Sequence, residues 1–292
     1  MNILITGING FIGRNLSHQL NNKKYNILGL SRNRERLSKQ VIFGDLNDLS
    51  KIENSIINFK PDVVIHLAWQ EIDRLNLENS KKNFFITKKF FSIIFKKTNC
   101  KKIIITGSCL EYDISNNLKS DEYSKLNKNL SFSIYKNKIL KYIKRKCKEK
   151  KIKYYWLRLF YVYGKFQKRR SLIPMIISEI KNNKKIEFKN PFNENDFVPV
   201  EKVSKTIEYI LNKKIPQGIY NIGSGNLLSI KEIFLLLAKK LNYKKIKQTI
   251  NIYKDDKKSI KNIYSNNDKY NKYFKIKLRS NKFYINKMIN YF

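Results

Sequence analysis

The chain has 292 residues, with 61 Lys and Arg against 23 Asp and Glu and a formal net charge of +38. That length can bury a full core, while three irregularly spaced cysteines (Cys100, Cys109, Cys147) and two histidines (His18, His66) argue against a disulfide framework or a metal site. No charged leader precedes the first apolar stretch and Lys interrupts the greasiest segment, 84–95, so export and membrane spanning are not expected and the setting reads as cytoplasmic. The positive charge would suit nucleic acid. It is spread along the chain, however, and Asn, Ile, Tyr and Phe are abundant beside Lys. These residues share AT-rich codons, so base composition accounts for the profile and nucleic acid is disfavoured as a partner.

Residues 2–6 read as a short buried strand, Gly7, Gly10 and Gly13 follow at three-residue steps, and the apolar pattern turns helical from Phe11 to Leu20. A parallel strand feeding directly into a helix aims the first helical N–H groups at the space above the strand end, where a diphosphate fits. Gly7 permits the tight turn, Gly10 lets backbone approach phosphates, and Gly13 lets helix and strand pack closely; Asn9, Phe11 and Ile12 share the turn as candidate cofactor contacts. With its GxxGxxG spacing, this stretch resembles the extended, nucleotide-sugar-modifying branch of the short-chain dehydrogenase/reductase superfamily. The resemblance runs from end to end. It implies an α/β fold with a doubly wound parallel (Rossmann) sheet and a smaller C-terminal substrate-binding portion.

A second strand, 25–30, ends at Ser31 and Arg32. An acidic residue there would accept from ribose hydroxyls, whereas a hydroxyl and a guanidinium suit a 2′-phosphate, so NADP is expected ahead of NAD. Alternatively, Arg32, Arg34 and Arg36 simply begin a solvated helix. The third strand, 41–43, runs into Gly44-Asp45-Leu46, where the family places an Asp near the adenine. A fourth strand, 62–67, continues through His66-Leu67-Ala68-Trp69, which resembles the family segment beneath the nicotinamide half of the cofactor. His66 itself, with an apolar residue on each side, reads as a packed strand residue. In the helix at 77–97, Asn83 matches an Asn of the family pattern, and Phe84, Phe85, Phe90, Phe91 and Phe95 are read as core.

The fifth strand, 102–106, leads into Gly107-Ser108-Cys109-Leu110-Glu111-Tyr112-Asp113. In the superfamily, the Ser or Thr four residues before the Tyr of this loop hydrogen-bonds the reacting oxygen, which here is Ser108. Nucleotide-sugar dehydratases carry an Asp-Glu pair directly after that hydroxyl; Cys109 and Leu110 stand there, so dehydration is disfavoured. The loop and the HLAW string look most like 4-ketoreductases of nucleotide-linked 4-keto-6-deoxyhexoses, with 4-epimerases close by, and Cys109 and Glu111 become candidate substrate contacts. The superfamily also requires a helical tyrosine and, four residues on, a lysine that lowers the phenol's pKa and binds the nicotinamide ribose. In SIYKNKILKYIK the candidate pair is Tyr135 and Lys138, a spacing of three, which turns the lysine about 100° around an ideal helix. A catalytically degenerate nucleotide- or RNA-binding protein is the alternative.

Strand 153–160 ends in RLFYVYG, which resembles the family's RxFxxYG, with Tyr161 where many members have an Asn that touches the sugar nucleotide. Pro174 sits in the first turn of the next helix. Asn195 to Val200 stands where the family reads RDFVHV. Asn195 thus replaces an arginine that often contacts the nucleotide, and Arg170, beside Lys168 and Arg169, is the candidate replacement cation. Residues 218–225 match the family's last core strand, and Ser229 with Glu232 forms a capping box. No element is assigned beyond about Tyr243. Residues 1–164 are expected to form the nucleotide-binding domain and 165–292 the substrate portion, with 196–200 and 220–225 returning to the Rossmann core. The expected activity is NADPH-dependent 4-ketoreduction of a nucleotide-linked 4-keto-6-deoxyhexose, or 4-epimerisation of a nucleotide sugar. The resemblance also implies a homodimer.

Overall fold

The computed structural model describes residues 1–21, 25–32, 41–113, 119–246 and 262–292; Arg34, Arg36 and part of the basic run at 239–258 lie outside them. The chain runs through β1 (Asn2–Thr6), α1 (Phe11–Leu20), β2 (Asn26–Ser31), β3 (Val41–Phe43), α2 (Ser50–Phe59), β4 (Val63–His66), α3 (Leu77–Lys97) and β5 (Lys102–Ser108). There follow β6 (Lys119–Ser120), α4 (Ser131–Glu149), β7 (Lys153–Leu159), β8 (Tyr161–Tyr163), α5 (Leu172–Lys181), β9 (Glu194–Asn195), β10 (Phe197–Pro199), α6 (Val200–Asn212) and β11 (Gly218–Ile222). The last elements are β12 (Leu228–Ser229), α7 (Ile230–Lys240), β13 (Tyr264–Ser265), α8 (Asp268–Tyr273) and α9 (Asn281–Met288).

Seven strands form one sheet in the order β11-β7-β5-β4-β1-β2-β3. β1 pairs in parallel with both β2 and β4, and the chain winds outward from it in opposite directions. The strand order therefore reverses between β1 and β4, and in open parallel sheets ligands bind outside the carboxyl ends of the strands at such a reversal. The strands can be parallel and central because their sequences are continuous apolar runs: Ile3, Leu4, Ile5, Val63, Val64, Ile65, Ile103, Ile104 and Ile105 are all buried. Helix α3 adds Phe90, Phe91, Ile94 and Phe95 to the same core. Phe85, read as core from the sequence, is 47% exposed. The buried stripe of α3 follows residues 83, 86, 87, 90, 91 and 94, and at about 100° per residue position 85 falls outside it.

The chain divides into two compact units, residues 1–113, 122–159 and 204–220 in the first and 114–121, 160–203 and 221–292 in the second. β11 joins the large sheet at its edge, whereas Phe197–Pro199 pairs with β8 in a separate two-stranded sheet of the second unit. The second unit has its own core, to which α5, α7 and α9 contribute Ile176, Ile177, Ile233, Phe234, Leu237 and Ile285. Helix α9 lies in the tail beyond Tyr243, where the sequence predicts no element. Its buried residues Tyr284, Ile285 and Met288 follow helical spacing, but only eight residues long and set among Lys and Asn, they give a weak periodic signal.

Candidate active site

The glycine turn is built as its chemistry requires. Gly7 has φ +73°, and a Cβ there would meet the Ala68 backbone nitrogen at 3.0 Å. At Gly13 a Cβ would collide with the carbonyl oxygens of Gly7 and Ile8, so no other residue lets α1 start so close to β1. A Cβ at Gly10 would meet only the Gly7 carbonyl. Gly10 is also the N-cap of α1, extended and without a side-chain cap, and the first turn that carries Phe11 and Ile12 has no acidic residue. With neither a side-chain cap nor an acidic residue, this helix start suits the diphosphate of a dinucleotide. The Asn9 carbonyl accepts from Arg14 Nε at 3.0 Å, which fixes the turn's outer edge.

The exit of β4 is braced on both sides. The His66 ring nitrogens meet Thr6 Oγ1 at 2.8 Å and Thr87 Oγ1 at 3.3 Å, and the ring stacks on Phe90 at 5.5 Å. Burial pushes its pKa down to about 3, helped by the Lys136 charge, so it is a neutral packed residue at working pH. The Thr6 hydroxyl also accepts from Ala68 N, and Leu67 N donates to the Thr6 carbonyl. Asn83 is buried; its amide accepts from Gln70 N and donates to the Gln70 carbonyl, and the Gln70 side chain donates to Asp45. Asn83 and Asp45 thus clamp the loop after Trp69. Ser31 and Leu46 are buried, and Arg32 is exposed at the end of β2.

Ser108 ends β5, half-buried, and its Oγ accepts from Leu110 N at 3.2 Å, capping a 3₁₀ turn at Cys109–Glu111. As an acceptor in that cap the hydroxyl keeps its own hydrogen for a ligand. Cys109 is buried, and Glu111 points into the core rather than toward a substrate. Glu111 Oε1 accepts from Ser108 N at 2.9 Å and Trp156 Nε1 at 3.0 Å, and Oε2 accepts from Arg158 Nε at 2.8 Å. The expectation that Glu111 contacts substrate is therefore corrected. Both oxygens are spent on holding Ser108 and the β7 side chains.

Helix α4 presents to this corner a pair that the Tyr135–Lys138 reading missed. Lys138 is exposed, its ammonium 4.6 Å from the Tyr135 ring centroid, and the Tyr135 ring faces Phe84 at 5.8 Å. The buried face carries Phe132, Ser133, Lys136, Ile139, Leu140, Ile143 and Cys147. Lys136 is 6% exposed, donates to the Thr106 carbonyl at 2.9 Å and stands 3.9 Å from the Trp69 ring centroid. Four residues before it, Phe132 packs edge-on against Trp69 at 5.1 Å. Ser133 fixes the helix start by donating to the carbonyls of Glu111 and Asn127. The lysine that reaches the strand ends is thus Lys136, and the residue one turn ahead of it has no hydroxyl. The face that runs from Phe132 through Lys136 to Ile139, Ile143 and Cys147 at steps of three and four was the available signal.

The other candidates lie in the second unit. The Tyr161 ring packs near Phe197 at 5.9 Å, Asn195 is buried with its side-chain Oδ1 accepting from Asn262 Nδ2, and Arg170 is exposed. No group of three or more His, Cys, Asp and Glu among the described residues could hold a metal ion, and none of their helices is long and apolar enough to cross a membrane.

A glycine turn under an uncapped helix, at the strand-order reversal of a doubly wound sheet, defines a Rossmann-fold dinucleotide-binding protein. The chain belongs to the NAD dependent epimerase/dehydratase family, which comprises NAD-dependent nucleotide-sugar-modifying enzymes and whose model matches residues 3–223. It is 28% identical over 255 residues, 83% of each chain, to a putative UDP-glucose 4-epimerase of Methanocaldococcus jannaschii. It is 25% identical to CDP-abequose synthase of Salmonella muenchen over 82% of this chain and 83% of that one. The fold superimposes on that of UDP-glucose 4-epimerase from Thermotoga maritima with a TM-score of 0.84 at 18% identity, covering 100% of this chain and 98% of the other.

Proposed function

We propose that the protein reduces the 4-keto group of a nucleotide-linked 4-keto-6-deoxyhexose with NADPH. The observation that carries this reading is Phe132, one helical turn ahead of Lys136 on the buried face of α4. Epimerisation and dehydration both begin by oxidising a sugar alcohol, which needs a base to take the hydroxyl proton; a phenylalanine cannot be that base, and Lys136 beside it, with a pKa near 8, is mostly protonated at neutral pH and so placed to give a proton rather than take one. Reduction needs only a proton for an oxygen that becomes more basic as the reaction proceeds. Losing the phenol slows both directions by the same factor, but oxidation is the uphill direction and starts from the lower rate. The absence of an Asp-Glu pair at Cys109-Leu110 supports the same choice.

In this mechanism the glycine turn and the first N–H groups of α1 hold the cofactor diphosphate, while Lys136 and Trp69 flank its nicotinamide end. The bound cofactor supplies a hydride. Ser108 donates a hydrogen bond to the ketone oxygen, which strengthens as negative charge develops there. Arg32, with Ser31, meets the 2′-phosphate that distinguishes NADP from NAD. A soluble cytoplasmic homodimer with no nucleic-acid partner belongs to the same reading.

The test is to offer dTDP-, CDP- and GDP-linked 4-keto-6-deoxyhexoses with NADPH, and separately UDP-glucose with NAD. Oxidation of NADPH with one of the keto sugars and no conversion of UDP-glucose to its C4 epimer is the expected result. C4 exchange without consumption of NADPH would replace this reading with an epimerase. Arg32→Asp should move the cofactor preference from NADP toward NAD; an unmoved preference removes Arg32 from the assignment.

A further inference from the structure

We infer that Lys136 is the proton donor of this site, acting from the face of α4 on which Phe132 holds the place of a phenol. The inference rests on the reductive reading above. Lys136 Nζ lies 3.9, 5.7 and 5.9 Å from the ring centroids of Trp69, Phe132 and Trp156. Among the described residues its hydrogen-bond partner is the Thr106 carbonyl, so an ammonium with three N–H groups keeps two for a ligand. That is an unusual place to leave a cation, since a buried charge is costly unless it is fully paired.

The surrounding groups keep the proton transferable. Burial among aromatic rings pushes the Lys136 pKa down to about 8, while the charge of Glu111 pulls it upward. On β4, His66 is neutral at working pH, and on β7 the Arg158 charge is matched by Glu111. On α4 itself Lys138 is exposed, and its ammonium sits over the Tyr135 ring. A donor poised near the working pH is effective as a general acid.

As hydride from the reduced nicotinamide cofactor bonds to the carbonyl carbon, the C=O π pair moves to oxygen. An N–H bond of Lys136 then breaks and its proton goes to that oxygen. The substrate leaves as an alcohol, the cofactor is oxidised, and Lys136, now a neutral amine, recovers a proton from water. Ser108 holds the same oxygen throughout and keeps its proton.

The decisive variant is Lys136→Arg, which keeps a cation and its donors but cannot release a proton at working pH. Turnover of the holoenzyme should fall roughly 10²- to 10⁴-fold, as expected for loss of a general acid. NADPH affinity, measured by calorimetry, should change little. Adding Phe132→Tyr to Lys136→Arg should restore at least about tenfold, because a phenol on the same face supplies the proton; a purely structural role for Lys136 predicts no rescue. If wild type reduces a keto sugar and Lys136→Arg does so equally well, the proton-donor assignment is wrong and the reductive reading survives. If wild type binds NADPH and the sugar but transfers no hydride, the reductive reading itself fails. Should Lys136→Arg not fold, the ¹³C titration of Lys136 in the wild-type NADP complex decides: a pKa near 8 supports the assignment, and one above 10 overturns it.

Discussion

Among the described residues two carboxylates are completely buried, Glu111 in the first unit and Asp196 in the second, and different chemistry satisfies them. Glu111 is half of an ion pair: Arg158 Nε donates at 2.8 Å, and both side chains are at most 1% exposed. Asp196 sits in a cage of amides and hydroxyls. Ser224 donates to it through N and Oγ, Gly225 through N at 3.1 Å, and Ser265 through N at 2.9 Å and Oγ at 2.7 Å. Each carboxylate is backed by a glycine, Gly107 or Gly223, where a Cβ would run into it. Each also has a buried lysine in its field, Lys136 or Lys202, both pushed down to about 8 by burial. The two lysines end differently. Lys136 Nζ reaches the carboxyl end of β5 beside Trp69, whereas Lys202 Nζ is tied to the Gly223 carbonyl at 2.6 Å beneath the Tyr270 ring. The same set of parts serves a reaction in one unit and fastens the chain in the other.

The largest effect should come from breaking the ion pair. Glu111→Leu leaves the Arg158 charge buried and unpaired, for a loss of about 3–5 kcal/mol in urea unfolding. Combining it with Arg158→Met should recover most of that loss, since neither charge then remains. A cost below about 1 kcal/mol for the single change would mean that solvent reaches Arg158. Asp196→Asn is the gentler break, because the amide keeps one acceptor oxygen while turning its N–H₂ against donors. A loss of about 1–3 kcal/mol is expected, with faster amide exchange at Ser265 and Gly225. Exchange unchanged there would show that the cage does not fasten these segments. No larger than this should be Gly107→Ala and Gly223→Ala, each about 1–3 kcal/mol from overpacking against the carboxylate. In a double-mutant cycle Gly107→Ala should couple to Glu111→Gln and be additive with Asp196→Asn.

What the sequence revealed follows from how local each feature is. The turn at Gly7, Gly10 and Gly13 is legible because its backbone demands fall on residues of that same turn, and Ser229–Glu232 is legible as a cap for the same reason, the bonds being present at 3.1 and 2.7 Å. Helix α4 was visible as a helix, yet its site face was assigned through a tyrosine. Tyr135 and Lys138 stand out in the sequence because Tyr135 is a phenol, whereas Phe132 and Lys136 have the four-residue spacing and continue into the buried Ile139, Leu140 and Ile143. Glu111 was misassigned for the opposite reason. Its partners Trp156 and Arg158 are more than forty residues away in sequence, and only the sheet brings β5 and β7 together. The cage around Asp196 was equally hidden, because Ser265 lies in a tail of weak periodicity.

The smallest expected effect is a pH dependence, and it separates the two lysines. A lysine in the unfolded chain titrates near 10.5, so between about pH 8 and 10.5 the unfolded state carries a proton that buried Lys202 has given up. Stability therefore gains from this group as pH rises through that window, and the gain is absent below pH 8, where both states are protonated. Cys100 and Cys147, pushed up to about 12 by burial, act in the opposite direction above about pH 9. The comparison must therefore be between variants that share those thiols. Lys202→Met should flatten the rise between pH 8 and 9.5 relative to wild type. Asp196→Asn should extend it to lower pH, since it removes the charge that pulls the lysine upward. Lys136 obeys the same linkage, but its ammonium faces the cofactor site while that of Lys202 is tied to the Gly223 carbonyl. Saturating NADPH should thus move the side-chain ¹³C resonance of Lys136, with its pKa kept near 8, and leave that of Lys202 where it was. If NADPH moves both equally, or neither, then the two lysines do not differ in their access to the cofactor, and the contrast between a reactive and a fastening lysine fails.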